Sequence, residues 1–166
     1  LNPNRNPDLA QADFDVRLAA DLGLTEVIWL GDGLLNDHTD GHVDNLARFI
    51  AEGVVVVPEA SGADDPNADV YAGARRTLEA AGLDVRTIPS PGLLEIEGEA
   101  IPASYMNFLI TNRKVIVPVY GQPNDEAAVA TVQALLPGRK AVGLPANHIL
   151  TGGGSFHCIT QQVPAL

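Results

Sequence analysis

The sequence predicts an α/β fold assembled from a repeated strand–strand–helix–strand unit. Apolar periodicity and turn residues give that order twice, about 60 residues apart, a period that points to a repeat architecture. Prolines punctuate the two copies at matching places: Pro58 answers Pro118, and Pro89 answers Pro145. The first copy also holds four consecutive valines, the pattern of a strand covered on both faces.

Leu9, Ala12, Val16, Ala19 and Ala20 recur at helical spacing and predict a helix over 8–22, stopped by Gly23. TEVIWL (25–30) reads as a strand, with Trp29 in the core. NLARFIAEGVVVVPE (45–59) reads as a strand, a tight turn at Glu52-Gly53 and a buried strand. GADDPNAD (62–69) is turn chemistry, followed by a helix over 70–81, Gly82, and the strand LDVRTIP (83–89). The second copy runs YMNFLITNRKVIVPVY (105–120) as strand, turn at Asn112-Arg113, strand. A helix over 125–136 comes next, closed by Pro137-Gly138, and then the strand RKAVGLP (139–145). The first helix with VIWL reads as the tail of a preceding unit, and SFHCITQQVP (155–164) as the first strand of a following one. Both ends then fall inside a unit, and LNPNRNP at the start has neither an initiator Met nor a signal pattern, as expected for a section of a longer repeat protein.

The 166 residues suffice for one domain with a core, and 46% apolar with 19% charged residues fits a soluble globular chain. No apolar run approaches the roughly 20 residues of a membrane span. Twenty-one acids against 10 Lys and Arg give a net charge of -11, which argues against a nucleic-acid partner and suits a cationic small molecule. Self-association into a homo-oligomer is compatible with this composition. The single cysteine cannot form an internal disulfide, which fits a reducing, cytoplasmic setting.

Two stretches carry chemistry. WLGDGLLNDHTDGHVDN (29–45) packs four Asp and two His into a loop between apolar segments, where sites are commonly built. GGGSFHCITQQ (152–162) places the only cysteine beside three glycines. His38 and His42 are four apart, as metal ligands on a helix would be, but Thr-Asp-Gly between them disfavours a helix. The alternative is nucleophilic: Cys158 as thiolate, His42 as general acid–base, and Asp44 as a carboxylate on the same strand face as His42. An inert core thiol is the competing reading of Cys158. By alternation, His157 should face away from Cys158 and serve structure, and His148 reads as a loop or core histidine. Arg48, four strand residues beyond Asp44, should lie about 13 Å from it.

GHVDN within its loop, LNPNRNP, and GGGSFHCITQQVP resemble, in order along essentially the whole chain, the agmatine deiminases of the guanidine-modifying superfamily, close to bacterial peptidyl-arginine deiminases. The resemblance implies a five-bladed pseudosymmetric α/β propeller (a pentein), of which residues 1–166 would be the C-terminal portion, about half the ring. It implies Cys158, His42 and Asp44 as catalytic residues, with Asp44, Asp37, His38, Gly153 and Gly154 as substrate contacts. No metal or organic cofactor is implied. The expected reaction is hydrolysis of agmatine to N-carbamoylputrescine and ammonia, a step towards putrescine. A second family carboxylate, in an Arg-Asp-x-Gly-Pro motif, has no counterpart here, because no Arg-Asp pair occurs. Some members carry an acidic residue where this chain has His38. Peptidyl-arginine deimination, a metal-dependent hydrolase on His38 and His42, and a non-catalytic half-propeller are the rival expectations.

Overall fold

The computed structural model describes residue 2 and residues 4–163. A helix, α1 (Gln11–Leu22), precedes two α/β units. The first consists of β1 (Arg48–Ala51), β2 (Val54–Glu59), α2 (Ala68–Ala80) and β3 (Asp84–Pro89). A small antiparallel hairpin, β4 (Glu95–Ile96) and β5 (Glu99–Ala100), links it to the second. That unit consists of β6 (Leu109–Ile110), β7 (Lys114–Val119), α3 (Asp125–Leu135) and β8 (Lys140–Pro145), with the one-turn α4 (Asn147–Leu150) behind it.

The two units are built alike. In each, the first strand pairs antiparallel with the second, and a helix carries the chain back to a parallel third strand. A crossover of that kind is what parallel pairing requires. The matching prolines take matching places, Pro58 opposite Ile88 and Pro118 opposite Leu144. Both central strands tolerate proline because the antiparallel neighbour has already ended: β1 pairs only as far as Val56, and β6 reaches only Val115 and Ile116. The missing N–H therefore disrupts no antiparallel ladder bond.

The valine strand is covered on both faces, as its sequence predicts. Val55 and Val57 pack with Ala47 and Leu78 under α2. Val56 turns the other way and joins Ile88, Met106, Phe108, Val115 and Val117 in a core that the two units share. That shared core also buries Tyr105 and Leu150, so the segment 105–108 and the end of α4 are both fixed where the site is built.

Three expected strands differ. Residues 25–30 form no ladder; Ile28 and Leu30 pack on the core, while Trp29 is half-buried and donates from Nε1 to Asp15 Oδ1 at 2.9 Å. Residues 105–108 are core segment, not strand, and β6 is only two residues long. The described part of SFHCITQQVP, 155–163, is turn and coil, with Pro164 outside the described residues.

One aspartate in each unit gathers the turn at the start of its helix. Asp65 accepts from the backbone N–H groups of Ser61 and Asn67 and from the Ser90 hydroxyl. Asp125, at the same place in the second unit, accepts from Gly121 N at 2.7 Å, Gln122 N at 3.2 Å and the Tyr105 hydroxyl at 2.6 Å. Bonds to a carboxylate are the stronger kind, and their loss leaves several donors without partners. Asp125→Ala is therefore expected to lower the free energy of unfolding by about 2–3 kcal/mol in chemical denaturation. A change below about 0.5 kcal/mol would remove Asp125 from this role.

Candidate active site

GHVDN folds as a turn. Gly33 and Gly41 cross backbone to backbone, since a Cβ on Gly33 would collide with the Gly41 Cα, and Gly41 itself has φ +82°. His42 is extended, Val43–Asn45 form one 3-10 turn, and the buried Asn45, Leu46 and Ala47 anchor the turn at the entry to β1. His42 and Asp44 are thus not on a strand, yet both line one cleft of about 750 Å³. The opposite wall comes from Gly152, Gly153, Gly154, His157 and Cys158.

One buried side chain joins these walls. Asn107, 1% exposed, stands between Met106 and Phe108 in the shared core. Its Oδ1 accepts the backbone N–H groups of Ser155 (2.8 Å), His157 (3.1 Å) and Cys158 (3.2 Å). Three converging N–H donors fix which end of the amide is oxygen. Its Nδ2 faces Asp44 Oδ2 (3.0 Å), Asn45 Oδ1 (2.9 Å) and Cys158 Sγ (3.0 Å). The Ser104 hydroxyl donates to Asn45 O at 2.6 Å, a second tie between the GHVDN turn and this segment.

The Cys158 thiol also donates to Asp44 Oδ2 at 3.1 Å, and His157 Nδ1 meets the same oxygen at 2.6 Å. Asp44 Oδ1 is buried with no hydrogen-bond partner among the described residues. Burial pushes the Asp44 carboxyl up, but the hydrogen bonds from His157 and Cys158, together with the charge of Arg48, outweigh it and hold the group below its ordinary value. Burial and the Asp44 carboxylate both push the Cys158 thiol up, against a smaller opposing effect of the Asn107 amide. In this arrangement the sulfur is kept as a thiol. Gly154 must lack a side chain, because a Cβ there would run into Cys158 Sγ.

The expected site residues divide. His42, Asp44, Cys158, Gly153 and Gly154 line the cleft. The ring of His42 is exposed and makes no hydrogen bond among the described residues. Asp37 and His38 lie off the cleft lining: Asp37 Oδ1 accepts from the N–H and hydroxyl of Thr39, and the exposed His38 ring abuts Gly153. Asp40 is taken by Arg5, whose Nε lies 2.9 Å from its Oδ2. Among the described residues, no three His, Cys, Asp or Glu side chains cluster as metal ligands. His157 corrects the strand-based expectation; residues 155–160 turn, with Ile159 N bonded to Ser155 O, so it shares the cleft with Cys158 instead of facing away. Arg48 is likewise not at the end of an extended run from Asp44, and its charge acts on both Asp44 and Cys158. His148 is exposed on α4. Asn107 is not legible as a site residue in the sequence, its only signal being one amide within an apolar stretch.

The chain belongs to the family of Porphyromonas-type peptidyl-arginine deiminases, whose model matches residues 1–164. A protein of Marinomonas sp. that carries the provisional name agmatine deiminase is 38% identical, over 99% of this chain and 51% of its own. The solved agmatine deiminase of Enterococcus faecalis superimposes with a TM-score of 0.90 at 35% identity, covering 99% of this chain and 51% of that one. A cysteine-to-serine variant of the C. jejuni agmatine deiminase with substrate bound gives 0.87 at 34% identity, over 95% and 47%. The chain spans about half the length of the relatives it matches.

The charge balance at the thiol can be tested without any substrate. Alkylation of Cys158 by a neutral reagent should rise with a pH midpoint above that of an unstructured cysteine peptide. Asp44→Asn removes the carboxylate that favours the neutral thiol, so the midpoint should move down and alkylation at neutral pH should quicken. A midpoint that stays put or rises in Asp44→Asn would contradict this reading.

Proposed function

We propose that the protein is an agmatine deiminase, hydrolysing agmatine to N-carbamoylputrescine and ammonia in putrescine formation, with Cys158 as a covalent nucleophile. The observation that carries the proposal is the contact between a thiol and a carboxylate, Cys158 Sγ and Asp44 Oδ2 at 3.1 Å, in a cleft whose wall also holds His42. A guanidinium is a planar cation with forked N–H donors that carboxylates grip bidentately. Asp44 lines the cleft, and its Oδ1 is buried without a partner among the described residues, so a guanidinium would engage it only as the carboxylate turns that oxygen towards the cleft. A bound cation also offsets the negative charge that keeps Cys158 protonated, so substrate arrival favours the thiolate.

The Cys158 thiol gives its proton to His42 as the sulfur attacks the central carbon and a C–S bond forms. His42 gives a proton to the departing ammonia as the C–N bond breaks, leaving a thiouronium on Cys158. His42 then takes a proton from water and hydroxide adds to the same carbon. As the C–S bond breaks, the hydroxyl proton passes to the departing sulfur, releasing the ureido product and the thiol, and the proton on His42 leaves to solvent, where ammonia becomes ammonium.

The cleft supports agmatine over arginine because none of its lining residues is Lys or Arg to receive an α-carboxylate. Arg48 is occupied, its Nη1 donating to Phe108 O at 2.9 Å and Met106 O at 3.3 Å. The family description favours peptidyl-arginine as the second substrate to test. We read the fold as a pentein propeller whose C-terminal portion is residues 1–166, a reading supported by two units of matching register and by relatives of about twice the length. Residues 1–166 alone then lack a second guanidinium carboxylate, whose loss costs roughly 1.5–3 kcal/mol, about ten- to a hundredfold.

Ureido product from agmatine, arginine and an arginyl peptide should be assayed side by side in the complete protein and in residues 1–166. Agmatine should lead by at least about tenfold in kcat/KM, Cys158→Ala should abolish turnover, and residues 1–166 should be slower by about two orders of magnitude. Turnover in Cys158→Ala would remove the nucleophile, and a preference for arginine or the peptide would reassign the substrate.

A further inference from the structure

Asn107 has a surplus of acceptors. Its amide nitrogen carries two hydrogens, yet Asp44 Oδ2, Asn45 Oδ1 and Cys158 Sγ all lie within 3.0 Å. With a neutral thiol, the sulfur donates its own proton to Asp44, and both amide hydrogens are free for the two oxygens. Once the sulfur loses that proton it becomes an acceptor, and one amide hydrogen can turn to it. The oxygen end meanwhile keeps Ser155, His157 and Cys158 in place through their N–H groups. The same amide therefore serves both protonation states of the sulfur without moving the loop.

The amide can do this only if its own backbone is fixed, and Arg48 fixes it. From β1 its Nη1 donates to the carbonyls on either side of Asn107, those of Met106 and Phe108, and its guanidinium lies 4.9 Å over the Phe108 ring. No carboxylate forms a salt bridge with Arg48 among the described residues, so its charge is held by carbonyl dipoles and an aromatic face. That leaves a partly buried cation beside the segment that carries Asn107, its field reaching Asp44 and Cys158.

We propose that Arg48 and Asn107 form a positioning pair for the reaction: Arg48 clamps the two carbonyls that flank Asn107, and Asn107 sets the Cys158 sulfur against Asp44 and accepts the change when the thiol ionises. Neither residue needs to touch substrate. The inference rests on Cys158 being the reacting thiol, and its first readout needs no substrate at all.

The experiment measures the pH dependence of Cys158 alkylation by iodoacetamide, together with kcat and KM for agmatine, in wild type, Arg48→Met, Arg48→Lys and Asn107→Asp. Arg48→Met keeps an apolar stem over Phe108 and loses the charge and both carbonyl bonds. Its alkylation midpoint should move to higher pH, slowing alkylation at a fixed pH below the midpoint by roughly three- to tenfold. Its kcat should fall about ten- to a hundredfold while KM stays within about threefold. Arg48→Lys restores the charge and should return the midpoint towards wild type, with kcat only partly recovered. Asn107→Asp keeps the oxygen that takes three backbone amides, and replaces the donor end by an acceptor, so its midpoint should rise even where Arg48→Met fails to fold. An unchanged midpoint in a folded Arg48→Met or Asn107→Asp protein overturns the proposal, whatever happens to stability. A moved midpoint in a protein that does not deiminate agmatine would sustain the positioning pair and remove the proposed substrate.

Discussion

The buried amide of Asn107 is the interaction on which the cleft depends, because three separate stretches of chain meet through it. Its oxygen holds the loop that carries Cys158, and its nitrogen holds the turn that carries Asp44 and Asn45. A side chain can hold such a position only from a rigid base. Met106 and Phe108 supply that base by full burial on either side of it. An amide buried without partners would be costly; this one is satisfied at both ends, so it specifies a single arrangement.

That arrangement brings together groups with opposed demands. A thiol beside a carboxylate resists ionisation, while the same carboxylate, held below its ordinary value chiefly against the effect of burial, stays charged. The site is thus quiet towards neutral molecules and suited to a cation that can face both groups. The net charge of -11 adds a long-range field of the same preference. His157 and Cys158 share one Asp44 oxygen, and the other is buried without a hydrogen-bond partner among the described residues.

Much of this is readable from residues alone, and the failures share one cause. The paired units, their prolines and the valine strand arise from periodicity and turn chemistry, which act locally. SFHCI alternates like a strand but folds as a turn, because Asn107 Oδ1 replaces the neighbouring strand as acceptor for its amides. TEVIWL has the composition of a strand and no partner in either three-stranded sheet. Strand alternation misplaces His157 for the same reason that it misassigns SFHCI. Asn107 itself leaves no periodic trace, since a side chain that bridges segments more than fifty residues apart in sequence is a tertiary fact. GHVDN and the triglycine motif, by contrast, mark both walls of the cleft.

The central claim is that Cys158 becomes covalently bonded to the guanidino carbon of agmatine. Acid quenching of the wild type during turnover, and of His42→Ala after prolonged exposure to agmatine, with peptide mass spectrometry of both, tests it most directly. The account predicts a Cys158 peptide heavier by agmatine less ammonia, accumulating in His42→Ala over the prolonged exposure because attacking water has lost its base, whereas departing ammonia can still take a proton from solvent. An unmodified Cys158 peptide in both proteins, while the wild type continues to consume agmatine, would contradict it.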